Sequence, residues 1–142
     1  VPELTRRFLG TAATFVLLGV IVGFTMLVRR ELWGVWPHPS LVSVHAHLIL
    51  VGAVTQVIIG TAWWFFPRPG RNDPPASERA AILAWWFLTV GTSMRAGGEA
   101  AFAIVQARVP LVVIGGGALQ VMGMISAVIA LRRRVRRGLR DT

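Results

Sequence analysis

Two histidines flank a single alanine, His45-Ala46-His47, inside a run of apolar residues that extends from Leu41 to Phe66. An imidazole is costly to hold in hydrocarbon, so a His within a membrane span tends to serve a function. On an α-helix each residue turns by about 100°, so these two rings point about 200° apart, toward nearly opposite faces. Two ligands for one metal on one helix come at i,i+3 or i,i+4. A pair at i,i+2 instead serves two sites, one on either flank. Neutral imidazole is a good axial ligand for haem iron, and a flat, apolar macrocycle fits between packed helices. The other reading is that each His hydrogen-bonds a neighbouring helix and holds a bundle together.

Arg95 and Glu99 form an i,i+4 pair in a stretch otherwise made of small and apolar residues, including Gly97, Gly98, Ala100 and Ala101. Arg95 could neutralise a haem propionate with Glu99 orienting its guanidinium, or the two could form a self-contained ion pair. Arg29 and Arg30 end the first apolar block and are further propionate candidates. His38 stands between Pro37 and Pro39 and reads as a loop residue. Met94, Met122 and Met124 read as packing residues, although thioether suits copper or haem iron.

These residues are carried by four apolar blocks, at about 8–28, 41–66, 80–107 and 111–131. A hydrocarbon core of about 30 Å needs about 20 helical residues, so each block suffices. The expectation is an all-α integral membrane protein, one domain over 1–142 with four transmembrane helices. Of the 142 residues 54% are hydrophobic and 15% charged, where a soluble domain carries about a quarter charged. Cys is absent, which excludes disulfides, thiolate zinc sites, iron–sulfur clusters and covalent haem.

The net charge is +9 and every basic residue is Arg, a balance that invites a nucleic-acid reading. The distribution points elsewhere. With both termini inside, Arg6, Arg7, Arg68, Arg71, Arg79 and the Arg-rich tail 132–140 lie on the inner side, against Arg29, Arg30 and Arg108 outside. That is the positive-inside bias, with the tail against anionic lipid headgroups rather than nucleic acid. The expected location is an inner (cytoplasmic) membrane of prokaryotic type. Counting 1.5 Å per residue from the inner side, Arg95 stands about 24 Å up and His47 about 31 Å, both in the outer half. The loop starting at Pro67 is polar and Pro-rich, as a turn between spans should be. Trp33, Trp36, Trp63 and Trp64 fit interfacial anchors, and Trp85 and Trp86 either anchors or bundle packing.

The segment from Val44 to Pro67, with its His45-Ala46-His47 pair and its close Gly60-Thr61-Ala62-Trp63-Trp64-Phe65-Phe66-Pro67, resembles one helix of haem–copper oxidase subunit I. The later blocks are only loosely similar, through Trp85-Trp86 and Gly91-Thr92, and the first carries no motif. The resemblance implies that His45 matches the family's high-spin haem ligand and His47 its low-spin haem ligand, on opposite faces of a helix entered from the outer side. That subunit has many more spans and is arranged as four-helix arcs about a pseudo-threefold axis. This chain looks like one such arc. It has no further intramembrane His for the family's copper site and no Tyr, so a binuclear centre for O₂ or NO reduction is not expected.

Because His45 and His47 face apart, a six-coordinate iron needs its second ligand from another copy. A ring of three copies would pair His45 of one with His47 of the next; a twofold dimer pairing like with like is the competing arrangement. The leading expectation is a homo-oligomeric, bis-His haem b protein, a trimer favoured over a dimer, transferring electrons from a quinol or a soluble electron carrier and not itself an enzyme. The alternatives are a copper-binding membrane protein and a non-catalytic accessory subunit of a respiratory complex.

Overall fold

A computed structural model describes residues 1–66 and 76–138 of the chain. The loop from Pro67, with Arg68 and Arg71, and the end of the basic tail at Arg140 lie outside the described residues. The protein is helical throughout, with no strand among the described residues. α1 spans Glu3–Trp33, α2 Pro39–His47, a π-helical segment Leu48–Thr55, α3 Gln56–Phe65, α4 Ala76–Val105 and α5 Pro110–Gly138. α2, the π segment and α3 form one continuous rod, so the expected span at 41–66 is present. It is not, however, the single regular α-helix that the sequence suggests.

The ends have local causes. α1 stops at Gly34, whose φ of 62° lets its N–H bond the carbonyls of Arg29 and Arg30. α2 starts on a cap: His38 Nδ1 accepts from the Ser40 N–H at 3.1 Å, with Pro39 at the first helical position. His38 is therefore a helix cap as well as a connection residue. α4 ends with Gln106 at φ 58°, where the Gln106 N–H reaches Phe102 O and the Ala107 N–H reaches Ala101 O. The left-handed backbone that usually takes glycine is here held by a Gln.

The helices pack in chain order: α1 on the rod, the rod on α4, and α4 along the length of α5. At the end that carries Trp63, all four contribute to one core, with Phe8 from α1, Ile59 and Trp63 from α3, Ala84 and Leu88 from α4, and Ala127 and Ala130 from α5. Toward the His38 end a second cluster holds Phe15, Val44, Leu48, Ala53 and Ala96, without α5.

Small residues set these contacts. On α1, Phe8 and Phe15 press on Gly60 and Gly52 of the rod. In return Ile49 and His45 of the rod press on Gly19 and Gly23 of α1. A Cβ at any of these four glycines would lie within 3 Å of its neighbour. Gly91 and Gly116 bring the backbones of α4 and α5 together, the close approach that small residues permit between membrane helices. Gln120 Nε2 donates to Thr92 Oγ1 at 3.1 Å across the same buried interface.

Among the described residues, three helices are long and apolar enough to cross a membrane: Glu3–Trp33, Pro39–Phe65 and Pro110–Arg132. Only 17%, 33% and 22% of their most apolar windows are buried. The outward faces are apolar, which is compatible with a bundle that faces lipid. The remaining expected span, 80–107, is a helix of ample length, but Arg95, Glu99 and its Thr, Ser and Gly residues dilute its apolarity below that of the others. Trp36, Trp64 and Trp86 are exposed, as anchors would be. Trp63 is a core residue. Trp85 packs against that core and donates from Nε1 to Thr11 Oγ1 at 3.1 Å.

Candidate functional site

His45 and His47 both lie in α2, before the π segment begins, so regular α geometry holds between them and their side chains diverge. His45 turns toward α1. Its Nδ1 lies 2.8 Å from Gly19 O, and its ring rests over Gly23. His47 Nδ1 lies 2.9 Å from Ser43 O, one turn back on its own helix, with Ser43 Oγ at 3.3 Å. Both rings are half-buried.

A carbonyl oxygen only accepts, so each Nδ1 donates and carries the proton. In the neutral ring Nε2 then keeps its lone pair, and neither Nε2 is hydrogen-bonded among the described residues. An N–H anchored to a backbone carbonyl with the opposite nitrogen free is the tautomer in which a His binds a metal. His38 has the reverse arrangement. Its Nδ1 accepts from Ser40 N–H, so in the neutral ring Nε2 carries the proton and serves as a donor.

Arg95 and Glu99 are joined by Nε to Oε1 at 3.3 Å, the side chains 30% and 13% exposed. The local ion pair therefore forms. Gly117 of α5 faces the Arg95 guanidinium: a Cβ there would stand 3.5 Å from Nη1. Arg29 lines a cavity of about 340 Å³ at the His38 end together with Trp36 and His38. Arg30 is paired with Glu31 at 2.7 Å on the exposed surface, and its guanidinium stands 5.7 Å from the Trp36 ring centre. The structure thus joins Arg95 with Glu99 and places Arg29 and His38 on the wall of one cavity. It holds His45 and His47 apart.

Among the described residues, no group of three or more His, Cys, Asp or Glu is placed to hold a metal ion. A haem iron asks less of a chain, because the porphyrin fills the equatorial positions and the protein supplies one or two axial ligands.

The residues that fix the two imidazoles were not singled out in the sequence. Gly19 and Gly23 carry a visible signal, a G-x-x-x-G spacing in the first apolar block. Ser43 has a weaker one, its position one turn before His47. Comparison with protein-family models, with curated proteins and with solved structures finds no match for this chain.

Proposed function

We propose that this chain is a membrane haem b protein in which His45 and His47 each present Nε2 to an iron on opposite flanks of α2, and that it transfers electrons. The single observation that carries the reading is the matched state of the two rings. Both donate Nδ1–H to a backbone carbonyl, and both leave Nε2 free. Gly19 and Ser43 set the ring orientation, and Gly23 leaves room for the His45 ring. When bound, the haem supplies an iron that takes up and releases one electron.

The proposal includes four spans, α4 among them, with both termini on the cytoplasmic side of the inner membrane. Arg95 lies less than halfway along the charge-poor stretch from Arg108 back to Arg79, and its partner Glu99 lowers the cost of placing it there. Arg95 would hold one propionate of a haem with Glu99 orienting its guanidinium, and Arg29 and Arg30 would be further contacts. Because the rings face apart, the second ligand of each iron would be a His of a neighbouring copy, in a trimer rather than a dimer. The chain-order packing of the helices and the His-x-His resemblance to haem–copper oxidase subunit I support this arrangement. A quinol or a soluble carrier donates the electron.

The test is a spectrum of the detergent-solubilised protein with pyridine haemochrome analysis and subunit counting. A Soret band with haem b is expected, and His45→Ala and His47→Ala should each deplete it. Iron-free protein without a Soret band overturns the reading. Copper in place of iron transfers the same two ligands to a copper site.

A further inference from the structure

The cavity of about 340 Å³ at the His38 end is bounded by α1, by the connection to α2 and by the last turns of α4. Its wall is graded along α1. Arg29 stands at one end and Ile21 at the other, eight residues or about 12 Å apart, with Met26 between them. Trp36 joins the charged end, and Leu41 of α2 and Ala103 of α4 continue the apolar wall. Thr25 also lines it, but its hydroxyl donates to Ile21 O at 2.8 Å and is spent on its own helix.

The charged end lacks a counter-ion. Among the described residues the wall carries no carboxylate. Arg29 is exposed, sits on a flexible stem and has no acidic partner there. Glu31, two residues on, is already held by Arg30 at 2.7 Å. A guanidinium without a carboxylate is a site for an anion, and phosphate matches its fork. Exposed Trp36 beside it has the amphipathic ring of a residue at headgroup level. The rest of the wall is mostly apolar. Ile21 and Ile104, 60% and 70% exposed, leave it open sideways, as entry from a bilayer requires. A free phosphate would use the charged end and leave the apolar end empty. A ligand with an anionic head and a hydrocarbon tail fills both. Arg29, Arg30 and Arg108 outnumber Glu31 at this end of the molecule, which favours a headgroup of net negative charge over a zwitterionic one.

We propose that this cavity binds an anionic phospholipid, with the headgroup phosphate on Arg29 beside Trp36 and part of one acyl chain along α1 toward Ile21. The inference rests on the chain lying in a membrane and not on the haem. It assigns Arg29 to a phosphate instead of a propionate and leaves Arg95 as the propionate contact of the haem reading.

The experiment labels the full chain in detergent with fluorotryptophan and follows the fluorine resonance of Trp36, assigned by Trp36→Phe, as phosphatidylglycerol is added. The probe is local, so lipid held by the Arg-rich tail does not register. A saturable shift is expected, with weaker binding of phosphatidylcholine. Arg29→Gln should weaken binding of phosphatidylglycerol by about fivefold, the scale of one basic residue at an anionic lipid surface. Ala103→Phe, which adds a ring at the apolar wall, should block it with the charges intact. Inorganic phosphate should not reproduce the shift. A shift that grows without saturating, equal affinity in Arg29→Gln, undiminished binding in Ala103→Phe, equal affinity for phosphatidylcholine, or the same shift with inorganic phosphate each overturns the proposal. Binding without a Soret band would refute the haem reading alone, and a Soret band without binding would refute this one alone.

Discussion

His45 Nδ1 donates to the Gly19 carbonyl oxygen at 2.8 Å, a bond that crosses from the rod to α1. A carbonyl inside a regular helix is already committed to its own i+4 N–H, so Gly19 O serves as a shared acceptor. The contact requires α1 to come close, and the lack of a side chain at Gly23 allows it. A Cβ at that position would lie 2.7 Å from His45 Cε1.

Gly23→Val should therefore displace the His45 imidazole while leaving His47 untouched. The expected outcome is a fall in haem-to-protein ratio close to that of His45→Ala, with the helical content retained. Gly10→Val is the control, because nothing stands within 4 Å of a Cβ there. Equal haem content in both variants would show that the ring does not depend on the space over Gly23.

The α4–α5 contact should be the least tolerant of added volume. At Gly91 a Cβ would meet Gly116 O at 2.7 Å, a backbone atom that cannot turn aside. Gly91→Leu should cost about 1–3 kcal/mol or more, the scale of overpacking. Gly115→Leu, whose nearest neighbour is the flexible tip of Met94 at 3.6 Å, should cost less. Unfolding in a mixed-detergent titration would rank the two.

Gln56 is fully buried, its Oε1 bonded to Thr11 Oγ1 at 2.7 Å and its Nε2 unpartnered among the described residues. Replacing a half-satisfied amide by an apolar side chain removes a desolvation cost. Thr11 keeps the Arg7 carbonyl as an acceptor and Trp85 as a donor. Gln56→Leu should thus be neutral or stabilising by up to about 1 kcal/mol. A loss larger than that would mean the amide hydrogens have a partner, such as a buried water.

Arg95→Leu alone should destabilise the bundle by about 1–3 kcal/mol, because it leaves the half-buried Glu99 carboxyl without the one partner it has among the described residues. Arg95→Leu with Glu99→Leu should recover much of that loss, since an ion pair replaced whole by apolar groups is often neutral. A double variant no more stable than the single one would argue that the two residues act separately. Denaturant titration of all four members of the cycle measures the coupling.

Much of the architecture was legible because charge and proline mark the ends of each apolar block. Arg29-Arg30-Glu31 falls in the last turns of α1, Pro39 opens α2 and Pro110 opens α5. The divergence of His45 and His47 was legible too, since it needs only a regular helix over three residues. What escaped the sequence depends on contacts between distant segments. The π segment coincides with the place where Phe15 of α1 presses on Gly52, a pairing of residues far apart in the chain. Trp63 looks like an interfacial anchor by its neighbours, yet Phe8, Ile59 and Leu88 enclose it in the core. The partners of the two imidazoles differ in the same way. Ser43 sits on the same turn as His47, but Gly19 is 26 residues from His45 and becomes its neighbour only when α1 docks.

The wide turns over Leu48–Thr55 have a consequence for how the rod is phased. Thr55 Oγ1 reaches back five residues to Leu50 O, so the coil there holds more chain per revolution than an α-helix does. That surplus is chain the rod takes up without turning its two halves against each other. Removing one amino acid from the wide turns would let them close toward α geometry with the histidine-bearing half near its present setting, whereas in a rod of regular α turns the same deletion would swing the His45 ring about 100° away from the Gly19 carbonyl.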